Sequence, residues 1–156
     1  MAALQVPPVN ARSRVDRVSA SDRTTRVLSV SSVEEDHTQL LDILGETVFG
    51  VTVSRDCRDA GNHLDGQQFG IVVCECHLPD GAWTDVLGQI SHQSEPPLLI
   101  VSSRLADDFL WAEVLNLGGF DLLVKPFCPQ EVRHVLTTAS MRLRNYSNPE
   151  ACSLLS

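Results

Sequence analysis

An α/β fold with a parallel five-stranded sheet is what this sequence predicts, and three observations predict it. Short apolar runs rich in β-branched residues alternate with stretches of helical spacing, in (βα)5 order. One run, Phe69 to Cys74, holds Ile71, Val72 and Val73 in succession and no polar side chain, as expected of a strand buried on both faces. Turn residues such as Asp65-Gly66, Pro79-Asp80-Gly81, Pro96-Pro97 and Gly118-Gly119 separate the segments.

The first strand is Arg26 to Ser31, and Glu34 to Leu44 follow with helical spacing, Leu40, Leu41 and Leu44 on one side. Ser32 with Glu35 three residues on has the pattern of a capping box. Gly45 to Gly50 lead into the strand Val51 to Ser54, and Asp56 is placed to cap a helix through Cys57, Ala60 and Leu64. The central strand follows, then a helix from Trp83 to Ile90 with Val86, Leu87 and Ile90 inward. Leu98 to Val101 form a fourth strand that ends in Ser102-Ser103. Ala106 to Leu117 form a helix stopped by Gly118-Gly119. Asp121 to Val124 are the fifth strand, and Pro129 to Arg144 the last helix, with Val132, Val135, Leu136 and Ala139 inward. Right-handed crossovers then put helices on both faces of the sheet, a three-layer flavodoxin-like sandwich with strand order 2-1-3-4-5.

The chain has 156 residues, enough for one domain and its tails: an arm over 1–25, a domain over 26–144 and a tail over 145–156. The net charge of −8 is uneven. Residues 1–26 hold five arginines against two aspartates, which leaves −11 for the rest. An acidic body argues against nucleic acid as the main partner. No apolar run approaches the roughly 18 residues of a membrane span, and the first residues lack the charged-then-apolar pattern of a secretory signal. The five cysteines include no Cys-x-x-Cys pair, so free thiols and a cytoplasmic location are expected. Cys74 and Cys76 flank Glu75 and point to the opposite face from it.

In this topology the carboxyl ends of strands one, three, four and five meet in one cleft, where ligands and chemistry collect in open α/β sheets. Those ends carry Ser31-Ser32, Glu75, Ser102-Ser103 and Lys125-Pro126. Here, over roughly residues 26 to 144, the sequence resembles the response-regulator receiver domains of two-component signalling. The resemblance rests on the central strand, on His77-Leu78-Pro79-Asp80-Gly81, and on Leu117-Gly-Gly-Phe-Asp121 running on to Lys125-Pro126-Phe127. It implies that Glu75 stands at the phosphoacceptor position, normally Asp. Ser31 and Ser32 stand at the acidic pair that holds Mg²⁺. Ser102, with Ser103 as its alternative, and Leu122 stand at the switch positions, the second normally aromatic. Lys125 matches the family's lysine, and a cis bond before Pro126 is implied with it. Acceptor, metal pair and aromatic switch therefore depart from the pattern, while fold and lysine are kept.

Two serine hydroxyls are poor ligands for a hard ion that wants carboxylate oxygens. Glu34, Glu35 and Asp36 open a helix and read as solvated first-turn acids. Glu75 reaches about 1.5 Å further than Asp, so it puts a negative charge roughly where a phosphoaspartate would. It is either such a mimic or a partner fixing Lys125. Ser102 and Ser103 are either switch residues or helix caps. His77 reads as a loop residue, and His37, His63, His92 and His134 as solvated. Trp111 is either a core-edge residue or an exposed anchor.

The expected function is that of a stand-alone atypical receiver, a pseudo-receiver in phosphorelay signalling, acting through protein contact rather than catalysis. No cofactor and no metal ligand are expected. The partners implied are signalling proteins, a histidine kinase or an output protein, and a second copy through the face of the fourth helix, fifth strand and fifth helix. A phosphorylatable receiver with an unusual site is one alternative. A small flavodoxin-like enzyme or nucleotide binder is another, against which Ser31-Ser-Val-Glu-Glu35 is neither a P-loop nor G-x-G-x-x-G.

Overall fold

A computed structural model describes residues 25–45 and 49–147. The predicted arm, residues 46–48 and the end of the predicted tail lie outside that range, apart from Thr25, which opens the first strand. The elements in order are β1 (Thr25–Val30), α1 (Glu34–Leu44), β2 (Phe49–Ser54), α2 (Cys57–Gly66), β3 (Ile71–Glu75), β4 (His77–Leu78), β5 (Gly81–Ala82), α3 (Trp83–Ser91), β6 (Leu98–Ser103), α4 (Asp108–Leu117), β7 (Asp121–Val124) and α5 (Pro129–Ser147). The main sheet is parallel with order β2-β1-β3-β6-β7, the doubly wound arrangement expected.

Strand alternation divides the core in two. Leu28, Val30, Val72, Cys74, Leu99, Val101 and Leu122 point to one face, where α2, α3 and α4 cover them with Leu64, Trp83, Val86, Ile90 and Val114. Val27, Ile71, Val73, Ile100 and Leu123 point to the other, where α1 and α5 supply Leu40, Leu44, Val132, Leu136 and Ala139. β3 is buried on both faces because it lies between β1 and β6 with helices above and below.

Several local expectations are corrected. The Ser32–Glu35 capping box does not form: Val33 is the α1 N-cap and makes no side-chain cap bond. Leu41 is exposed, and Ile43 takes the inward place. The reason is that the inward stripe begins earlier, at Asp36 and His37, and continues through Leu40, Ile43 and Leu44. The fourth helix starts at Asp108, capped by Asp107, which accepts from Leu110 N at 2.9 Å. The last helix continues through Asn145 to Ser147, past the predicted boundary at Arg144, since no Pro or Gly interrupts it before Pro149. The Pro79-Asp80 turn closes a small antiparallel hairpin, β4–β5.

Three expectations hold in detail. Asp56 caps α2, accepting from Asp59 N at 2.8 Å. Gly118 ends α4 at φ 112°, a conformation that favours glycine. The Lys125–Pro126 bond is cis.

Candidate functional site

The parallel register places the predicted residues at one sheet edge. Glu75 pairs with Ser102, Ser102 with Leu123, and Ser103 with Val124. β6 lies between the strands that carry Glu75 and Lys125, so Lys125 must lean over it. It does: its ammonium forms an ion pair with Glu75, and its side chain is only 3% exposed. The turn that carries it is tied to its neighbours, Lys125 N donating to Ser103 O at 3.0 Å and Phe127 N to Gln39 Oε1 at 3.4 Å.

Lys125 has a second partner that reading the sequence missed. Asp36 is buried, not solvated, and its Oδ2 lies 2.7 Å from Lys125 Nζ. The same oxygen accepts from Ser31 Oγ at 2.7 Å, and Ser31 Oγ accepts from Val33 N at 3.0 Å. A first-turn acid can be buried here because an ammonium and a hydroxyl donate to it; an unpaired buried charge would be expelled. His37 is also buried. Its Nε2 donates to Ser31 O at 2.8 Å, and its Nδ1 meets Ser29 Oγ at 2.9 Å. A continuous polar chain thus runs Ser29–His37–Ser31–Asp36–Lys125–Glu75. Both missed residues sit one turn before Leu40 on the inward stripe of α1, and that spacing was the signal that could have found them.

The other predicted positions are spread around this chain. Ser32 is exposed. Ser102 is buried at the end of β6, and its carbonyl accepts from Cys76 N at 2.9 Å. Ser103 Oγ accepts from Leu105 N at 3.1 Å and so stabilises the loop, not the helix start, which Asp107 caps. Leu122 packs in the core under α4. His77 is exposed on the hairpin; His92 and His134 are exposed, and His63 is half-buried beside Asp59. Among the described residues, no group of three or more His, Cys, Asp or Glu side chains is gathered to hold a metal.

The cysteines beside the cleft are buried thiols. Burial, and then the neighbouring Asp80, push the Cys57 thiol up to about 11. Burial likewise raises Cys74, and it raises Cys76 with help from Glu113. Such thiols pack as small apolar groups and are poor nucleophiles.

Away from the cleft, α4 buries only Val114 completely and leaves Phe109, Trp111, Leu115 and Leu117 exposed. Trp111 and Leu115, four residues apart, share one side of the helix. Val124 on β7 is exposed too.

The response regulator receiver domain model matches residues 30–137. The response regulator protein PilR of Pseudomonas aeruginosa is 31% identical over 121 residues, which are 76% of this chain and 26% of PilR. The transcriptional regulatory protein FixJ of Bradyrhizobium diazoefficiens is 31% identical over 113 residues, 72% of this chain and 53% of FixJ. The chain thus spans about a quarter and about half of the length of these two relatives. The signal receiver domain of an HD domain-containing protein from Pseudomonas fluorescens Pf-5 superposes with a TM-score of 0.72 at 25% identity, over 79% of this chain and 99% of its own. The chemotaxis response regulator CheY4 of Vibrio cholerae shares the fold with a TM-score of 0.68 at 18% identity, over 74% and 98%. With the parallel sheet, the strand-end cleft and the Lys-Pro-Phe turn in place, this chain belongs to the response-regulator receiver domains of two-component signalling.

Proposed function

We propose that this receiver is a pseudo-receiver: a signalling module that works by protein contact, with a cleft kept in one charge state by its own side chains. The observation that carries the proposal is the buried Lys125 ammonium held between Asp36 and Glu75. Phosphoryl transfer onto a carboxylate relies on electrostatic stabilisation of the transferring group, with a divalent cation and a free ammonium the strongest sources. Here both carboxylates of the cluster are engaged by Lys125, and Ser31 donates its hydroxyl to Asp36. Mg²⁺ wants several oxygen ligands in near-octahedral array, and this donor set does not suit it. Without that cation the barrier rises by several kcal/mol, on the order of 10³-fold in rate.

Glu75 supplies in the resting protein the partner that Lys125 needs, which supports a constitutive state in place of a phosphorylation switch. The module has no catalytic role of its own. It would meet a histidine kinase, an output protein or a second copy through the surface of α4, β7 and α5, where Trp111, Leu115, Val124 and Arg133 are exposed. Free thiols at Cys57, Cys74, Cys76 and Cys128 fit a cytoplasmic setting. No described helix is long and apolar enough to cross a membrane.

The test is incubation with a small-molecule phosphodonor and Mg²⁺, then intact mass and peptide mapping. No phosphoryl adduct on Glu75 is expected. An adduct there would overturn the proposal and establish a phosphorylatable receiver.

A further inference from the structure

At the end of the sheet remote from Glu75 and Lys125, α2 runs into β3 and α3 into β6, and the two helices finish side by side. Gln93 Nε2 donates to Leu64 O at 3.2 Å between them, and Gln68 Nε2 donates to Glu95 O at 3.2 Å. A cavity of about 430 Å³ lies there, lined by Asp65, Gln67, Gln68, His92 and Ser94 among others. Both helices turn the negative ends of their dipoles toward it. Its lining includes Asp65 but no lysine or arginine among the described residues, and the last turn of α3 holds no basic residue. Carboxylate and carbonyl oxygens in this arrangement suit a guanidinium, which presents several donors in one plane.

One guanidinium already stands at the wall. Arg26 shares a strand face with Leu28 and Val30, the face that α2 and α3 cover. Its Nη1 donates to Gln67 Oε1 at 2.9 Å, and its carbonyl accepts from Gly70 N at 3.0 Å. The chain therefore enters β1 beside this cavity. The residues before it, 1–24, hold Arg12, Arg14, Arg17 and Arg23 against Asp16 and Asp22, a charge opposite in sign to that of the remainder. Arg23 is three residues from Arg26, about 10 Å of extended chain.

We propose that residues 1–24 are the occupant of this cavity: the chain's own basic arm folds back, and Arg23 with the arginines before it docks on the ends of α2 and α3. The contact is electrostatic and intramolecular. It lies at the opposite end of the strands from the cleft, so it stands whether or not Glu75 accepts a phosphoryl group.

The experiment is paramagnetic NMR on the full chain. A nitroxide is attached through Ser19→Cys, with Cys128→Ser and Cys152→Ser leaving only the buried cysteines beside it. Amides 66–68 and 92–94 report the cavity. Amides 142–144 report the opposite face of the sheet, which the start of β1 also touches, Thr25 Oγ1 lying 3.1 Å from Ser140 Oγ. Docking predicts greater broadening at the cavity than at 142–144, by at least about twofold for a tethered contact of several charges. Arg12→Gln, Arg14→Gln, Arg17→Gln and Arg23→Gln together, or salt raised to about 1 M, should abolish that excess. Equal broadening of the two faces would overturn the proposal, as would an excess that survives loss of the arginines. So would an equal excess when the nitroxide sits on a separate copy of the chain, which would give the cavity to a neighbour's arm.

Discussion

At the scale of single residues, the balance turns on Lys125. Its side chain is 3% exposed, and it is the one cation between two carboxylates. Lys125→Met leaves Asp36 and Glu75 near each other without a counter-charge, and it should cost about 3–5 kcal/mol of stability. Glu75→Gln should cost less than about 1 kcal/mol, because Lys125 keeps Asp36 and Glu75 is partly solvated. Urea denaturation of the two variants separates them, and equal losses would mean that Asp36 does not share the load. Asp80 gives a pH prediction of definite sign. The Cys57 amide, and after it that of Arg58, depresses its folded pKa, so its contribution is fully present above the ordinary carboxylate value of about 3.9 and is lost as pH falls through the lower folded value. The stability gap between the wild type and Asp80→Asn should be constant near neutrality and close in acid; a gap that widens in acid would contradict the assignment. The Glu75–Lys125 pair was legible because each residue sits at a strand end. Asp36 was not, because residue type and helical phase disagree there. An acid in a first turn reads as solvated, yet Asp36, Leu40, Ile43 and Leu44 share one stripe, and the stripe decided.

At the scale of elements, two helix ends make opposite predictions. α1 starts at Val33, whose side chain caps nothing. Val33→Ser should add about 1 kcal/mol, seen as a raised Tm, because it supplies a side-chain oxygen at the cap position. Gly118 ends α4 in the left-handed region, and Gly118→Ala should lower stability by about 1 kcal/mol. α4 itself is held to the core by few residues, and its outward apolar side is available for contact. Trp111→Ala should change stability by less than about 1 kcal/mol while weakening self-association or partner binding, as read by sedimentation or pull-down. Unchanged association would remove α4 from the proposed surface. Element types and order were legible because the hydrophobic period alternates cleanly between strand and helix. The Pro79-Asp80 turn was legible as a turn, but its hairpin was not, because the two-residue strands either side of it are too short to show a period.

At the scale of the whole molecule, the doubly wound sheet explains why residues 36, 75 and 125 meet. Parallel strands point their carboxyl ends to one edge, and the α1 start, the β3 end and the β7 end converge there. The fold is that of the receiver family. The proposed closing of the cleft is a matter of charge: Lys125 is paired with Asp36 and Glu75. The most direct test is a Mg²⁺ titration to millimolar concentration, following the backbone amides of Ser31, Glu75 and Lys125 by NMR. The variant with Ser31→Asp, Ser32→Asp and Glu75→Asp serves as the positive comparison. A closed cleft predicts no saturable shift in the wild type and a saturable shift in the variant. Saturable shifts at Ser31, Glu75 and Lys125 in the wild type would contradict it.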